Sequence, residues 1–165
     1  MNQRREPELP VVPDRPDVID EAELPVAPSD HVSRPIVRLS PLVAPLAVGI
    51  GGALGAILRY QVNLWSVGQW GDRFPWGTLF INVTGCVVIG FYLTLVTERL
   101  AGRPMTRLFI ATGTLGGYTT FSTFAYETVT LVGDARFATA ATYVVASLAL
   151  SIVGIVGGIL AARAL

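Results

Sequence analysis

The chain has 165 residues, of which 52% are hydrophobic and 15% charged, with a mean hydropathy of +0.55 and a formal net charge of zero. So apolar a chain of this length points to a membrane protein, and zero net charge without a basic patch argues against a nucleic-acid partner. One cysteine, Cys86, excludes a disulfide framework or a cysteine metal site, and one histidine, His31, leaves the apolar part without a Ser-His-Asp arrangement.

Residues 1–40 form the first element, a Pro-rich acidic tail. Residues 1–45 hold 8 of the 12 acids and 9 of the 11 prolines, with too little apolar surface to offset the entropy of ordering. The tail is expected to be disordered. No apolar run follows its N-terminal arginines, which argues against a secretory signal peptide. Residues 41–165 form a second, apolar domain. It reads as four spans: Leu42–Ser66, Trp76–Thr97, Met105–Val132 and Phe137–Ala162. Each reaches the roughly 20 residues that cross a bilayer core, and the short connections force successive spans to run antiparallel.

Arginines set the orientation. Arg34, Arg38, Arg99, Arg103, Arg107 and Arg163 fall on the side of the N-terminus, against Arg73 and Arg136, or these with Arg59, on the other. The excess of positive charge favours cytoplasmic N- and C-termini. Trp65, Trp70 and Trp76 suit either an interfacial belt or local packing. Gly51-x-x-x-Gly55, Gly113-x-x-x-Gly117 and Gly154-x-x-x-Gly158 each put two glycines on one helix face, for packing within the chain or at a dimer seam.

The third span carries Gly116-Gly117-Tyr118-Thr119-Thr120, centred on the midpoint of Arg107–Leu131. An unwound turn at that depth is tolerated only where it is buried in protein or faces a cavity or an ion. A glycine kink with hydroxyls bonded back to preceding carbonyls is the simpler alternative. Thr78 and Asn82 share a face of span two, and Tyr143, Ser147 and Ser151 share one of span four. Glu127 is the only acid within the spans. Neutral N–H and O–H donors suit an anion better than a cation.

Three motifs are recognisable together: Gly51-Gly52-x-x-Gly55-Ala56-x-x-Arg59-Tyr60, Gly77-Thr78-Leu79-x-x-Asn82-x-x-Gly85, and Gly113-x-x-Gly116-Gly117-x-Thr119-Thr120-Phe121-Ser122-Thr123-Phe124. The sequence closely resembles the Fluc/CrcB fluoride channels over residues 46–162. The resemblance implies an all-α membrane protein of four transmembrane helices with a break in the third, assembling as an antiparallel dimer in the bacterial cell membrane. It implies passive, selective export of fluoride that has entered the cytoplasm as HF. It also implies a pore at Asn82, Phe121, Phe124, Thr78, Ser122, Tyr143, Ser147 and Ser151, and a structural Na+ at the dimer centre on the Gly116 and Thr119 carbonyls.

Fluoride is strongly hydrated, so a dry pore must replace its water with donors, and phenyl rings presented edge-on offer weak positive contacts. Arg59 either snorkels from a helix end or keeps the pore mouth electropositive. Glu127, if it organises hydroxyls beside the pore, must itself be neutralised or hydrogen-bonded. The arginine bias leaves two assemblies open: a dimer with itself, or one with a homologous subunit of opposite orientation. A small four-helix proton-coupled exporter is the alternative function, with Glu127 its sole titratable acid. No nucleophile–base pair or metal-ligand cluster indicates an enzyme.

Overall fold

The computed structural model describes residues 41–98 and 104–165. The expected disordered tail, with His31, Arg34 and Arg38, and the Arg99 and Arg103 connection lie outside the described residues. Those described are helical, with no strand among them. The helices are α1 (Val43–Trp70), α2 (Trp76–Glu98), α3 (Pro104–Arg107), a π-helical stretch at Leu108–Leu115, α4 (Gly116–Tyr118), α5 (Phe121–Gly133) and α6 (Phe137–Arg163).

Three of these, α1, α2 and α6, are individually long and apolar enough to cross a membrane. The third expected span is not one such helix: it is divided at Thr119 and Thr120. Helix α1 runs a turn beyond the expected end at Ser66, because Gly68 is tolerated inside it. It stops at Gly71, whose φ of 72° suits a residue without Cβ and whose N–H donates to the Val67 carbonyl at 2.9 Å. Helix α5 ends in a paired 6→1 and 5→2 closure. The Arg136 N–H donates to Leu131 O at 2.9 Å and the Ala135 N–H to Val132 O at 3.0 Å. Ala135 holds the left-handed position, at φ 58°.

Packing follows the small residues, in two parallel pairs. Helix α1 lies on residues 108–118, with Gly51 and Gly55 facing the Phe109 and Thr114 carbonyls and Gly117 facing the backbone of Gly52. Helix α2 lies on α6, with Gly154 and Gly158 against Val87 and Gly90 against the Ile155 carbonyl. All three glycine motifs are therefore used inside the chain, where backbones approach too closely for a Cβ. The π-helical stretch had no signature in the apolar pattern. Its wider turns allow the Thr114 hydroxyl to reach back five residues to Phe109 O, at 3.0 Å.

The chain alone buries little. Tyr143, Ile81 and Ser66 are the largest fully buried side chains, and Leu79, Phe124 and Leu131 surround Tyr143. Large apolar side chains remain exposed along α1, α2, α5 and α6, as expected of surfaces that meet lipid or another subunit. Trp65, Trp70 and Trp76 are half-exposed and also stack on one another, with centroid separations of 5.0 Å and 6.1 Å, so belt and packing roles coincide. At the other end Arg163 pairs with Glu98 at 3.0 Å, an exposed bridge that adds little.

Gly117→Ala is expected to destabilise the fold by about 1–3 kcal/mol, because the new Cβ meets backbone that cannot rotate away. Gly133→Ala, with nothing within 4 Å of its Cβ, should be neutral or slightly stabilising. Thermal unfolding in detergent distinguishes the two, and equal midpoints would contradict the packing account.

Candidate functional site

The expected unwound glycines are helical. Gly116, at φ −64° and ψ −36°, and Gly117 stay in helix, and only Thr119 (φ −76°, ψ 158°) and Thr120 (φ −152°, ψ 122°) are extended. The reason is a division of labour. Gly117 is needed for contact with α1, whereas the backbone of Thr120 has other partners. Asn82, on α2, donates its Nδ2–H to the Thr120 carbonyl at 3.0 Å and accepts the Thr120 N–H on Oδ1 at 2.9 Å. One amide side chain thus satisfies both backbone groups of a residue that is itself buried. The Thr120 hydroxyl caps α5, accepting the Thr123 N–H at 3.2 Å and lying 3.3 Å from the Ser122 hydroxyl.

Asn82 keeps a second amide hydrogen. It lines a cavity of about 310 Å³ shared with Phe121, Phe124, Ser147, Ser151 and Cys86. Ser147 Oγ is buried there without a hydrogen-bond partner, and a buried hydroxyl is costly to leave so. Most of the expected pore residues therefore converge on one space. Cys86, expected only to fill space, is part of that wall. Phe121 and Phe124 have ring centroids 5.6 Å apart, but Phe124 is 9% exposed and Phe121 76%.

The remaining expected residues form a second cluster. Glu127 accepts from the Thr78 hydroxyl at 3.0 Å and from the Tyr143 hydroxyl at 2.6 Å, so each carboxylate oxygen has a neutral donor. This is the hydrogen-bonded state expected of an acid inside a span. Tyr143, wholly buried, links the two clusters, since its ring also packs on Phe124 at 5.2 Å between centroids. On the far side, Glu127 lines a cavity of about 270 Å³ that opens among Asn63, Asp72 and Arg136. Ser122 and Thr78 line a third cavity, of about 340 Å³, together with Arg59 and Asn63.

Because α1 continues to Trp70, Arg59 is interior to the helix, and its Nη1 lies 3.5 Å from the Thr119 carbonyl oxygen, the outer limit of a hydrogen bond. Two residues went unassigned in the sequence. Thr120 stood within the third motif, yet nothing there indicated its cap. Asn63 gave no signal beyond being an amide in an apolar run.

Helical in its described residues, with α1, α2 and α6 fit to cross a bilayer, the chain is a multi-pass membrane protein, and Thr78, Thr120 and Ser147 are buried neutral polar groups within it. A family model described as "CrcB-like protein, Camphor Resistance (CrcB)" matches residues 46–159, and the chain belongs to that family. It is 44% identical over 120 residues to the "Fluoride-specific ion channel FluC" of Rhizobium meliloti (strain 1021), covering 73% of this chain and 96% of that protein. It is 46% identical to the proteins of the same name from Roseiflexus sp. (strain RS-1), over 73% of this chain and 97% of that one, and from Trichormus variabilis, over 72% and 88%.

The Glu127 cluster yields a measurable coupling. Tyr143→Phe removes the donor on one carboxylate oxygen and is expected to cost about 1–3 kcal/mol. Combined with Glu127→Gln, the loss should fall short of the sum of the single losses by about 0.5–3 kcal/mol. Additive effects in thermal unfolding would show that the two side chains do not depend on each other.

Proposed function

We propose that this chain is the subunit of a passive, selective fluoride channel that exports cytoplasmic fluoride and so limits its toxicity. The observation that carries the reading is its 44% identity across 96% of a relative named as a fluoride-specific ion channel. The cavity supports it: Asn82 keeps an N–H beyond the one given to Thr120, Ser147 has an unpartnered hydroxyl, and Phe121 and Phe124 line the same space. Such donors can replace the hydration of a small anion without a fixed positive charge to trap it. Ser151 continues this track, and the buried Thr78 and Tyr143, bonded to Glu127, form its end. The hydroxyls of Thr78 and Tyr143 meet fluoride if they turn from Glu127, and Ser122 and Arg59 line its flank.

In this reading residues 104–133 are a third transmembrane span, broken at Thr119 and Thr120. Two subunits in opposite orientations close the pathway, which fits the open face at Phe121. The partner is a second copy or a homologous subunit of opposite orientation. This chain inserts into a bacterial plasma membrane with both termini in the cytoplasm.

The Gly116 and Thr119 carbonyls would be the groups that hold a structural Na+ at the dimer centre. The donor chemistry fits, because a hard cation takes neutral carbonyl oxygens. Bound there, it would supply positive charge at the level of the pore.

Liposomes loaded with fluoride test the function. With potassium and valinomycin carrying the counter-charge, the reconstituted protein should discharge the fluoride gradient with no proton gradient present. Efflux only under a proton gradient would instead indicate the exporter, and no efflux in either condition would overturn a transport function.

A further inference from the structure

In an unbroken α-helix the carbonyls of Gly116 and Thr119 would accept the N–H groups of Thr120 and Thr123, four residues on. Neither donor is spent that way. The Thr120 N–H goes to Asn82 Oδ1 at 2.9 Å, and the Thr123 N–H goes to the Thr120 hydroxyl at 3.2 Å. Two side chains have diverted the two helical donors that would otherwise occupy the two oxygens. Arg59 is the side chain that reaches Thr119 O, and at 3.5 Å it leaves that carbonyl a second lone pair.

The arrangement is held from both sides. Asn82 also donates to the Thr120 carbonyl at 3.0 Å, so it grips the extended residue by both backbone groups. The Thr120 hydroxyl makes a further bond to the Thr123 hydroxyl at 3.0 Å, which fixes its rotamer as the cap. Without the first grip, Thr120 N–H is free to close on Gly116. Without the cap, Thr123 N–H is free to close on Thr119.

We propose that Asn82 and Thr120 are positioning residues for the cation: each diverts one backbone N–H and so leaves one of the two carbonyl oxygens open to a hard metal ion. The proposal rests on the reading of Gly116 and Thr119 as Na+ ligands and adds what creates them. Neither side chain touches the ion. Asn82 has a second consequence, because it lines the cavity together with Ser147 and keeps one N–H beyond the bond to Thr120. The same amide therefore sets the backbone for the cation and presents a donor to the anion, which makes the two occupancies interdependent.

The test reads sodium directly rather than transport. Purified full-length protein is titrated with NaCl against N-methylglucamine chloride at constant ionic strength, following the unfolding midpoint by tryptophan fluorescence. The wild type should show a saturable, sodium-dependent rise. Thr120→Ser, which keeps the cap, should retain the wild-type half-saturation. Thr120→Val, the same shape without the hydroxyl, should require at least tenfold more sodium, as should Asn82→Ala. The Thr120 pair decides the matter if Asn82→Ala does not fold. Wild-type sodium response in folded Thr120→Val, or its loss in Thr120→Ser, would overturn the positioning role. No sodium response in the wild type would overturn the cation reading itself, and the proposal with it.

Discussion

An unpaired peptide group cannot be left in hydrocarbon, and this constraint governs the centre of the molecule. Thr119 and Thr120 leave the helix, yet the exposed N–H and C=O of Thr120 are both taken by Asn82, a residue of another helix. The pairing resembles one rung of a sheet made by a side chain. It allows helical structure to restart at Phe121 with its own cap, and it fixes the direction in which α5 carries Phe121, Phe124 and Glu127. The Glu127 cluster depends on that direction. Glu127 reaches Thr78 and Tyr143 only because α5 emerges at that point beside α2 and α6.

The glycines provide the distance over which Asn82 can act. Close approach of α1 to residues 108–118 and of α2 to α6 brings four helical segments into contact with few buried side chains. A conventional apolar core would fill the space in which Asn82, Ser147 and Ser151 face Phe124. Small residues at the helix seams thus keep the pair axes near each other while the centre stays open and lined with donors. The same economy leaves most large apolar side chains for lipid or a second subunit.

Much of this was legible in the sequence, and the exceptions have physical causes. Helix positions followed from apolar length, and α2 and α6 match their expected spans to within a residue. The polar stripe of Thr78 and Asn82 and that of Tyr143, Ser147 and Ser151 follow from helical spacing, which is local. The backbone gap falls at Thr119 and Thr120, inside the expected Gly116–Thr120 interruption, but the glycines of that segment stay helical. Glycine signals conformational freedom in a sequence, but Gly116 and Gly117 stay helical here, Gly117 in close contact with Gly52, and Thr120 adopts the extended conformation because Asn82 satisfies its backbone groups. That pairing joins residues 38 apart and leaves no local signature. The distance of Arg59 from the helix end was also not legible locally, since it depends on where α1 stops. The π-helical stretch has no pattern of its own, because one added residue per turn scarcely alters an apolar run.

The account stands on the interior being a path for fluoride as an ion, moving passively down its own gradient. Recording across a planar bilayer tests this most directly, with a tenfold fluoride gradient and all other ions symmetrical. The current is predicted to reverse at about 59 mV in magnitude, the potential that balances a tenfold gradient of a monovalent ion. It should carry the sign for an anion and be unchanged when a pH difference is imposed. Reversal at zero, or at a potential that follows the pH difference, would contradict it.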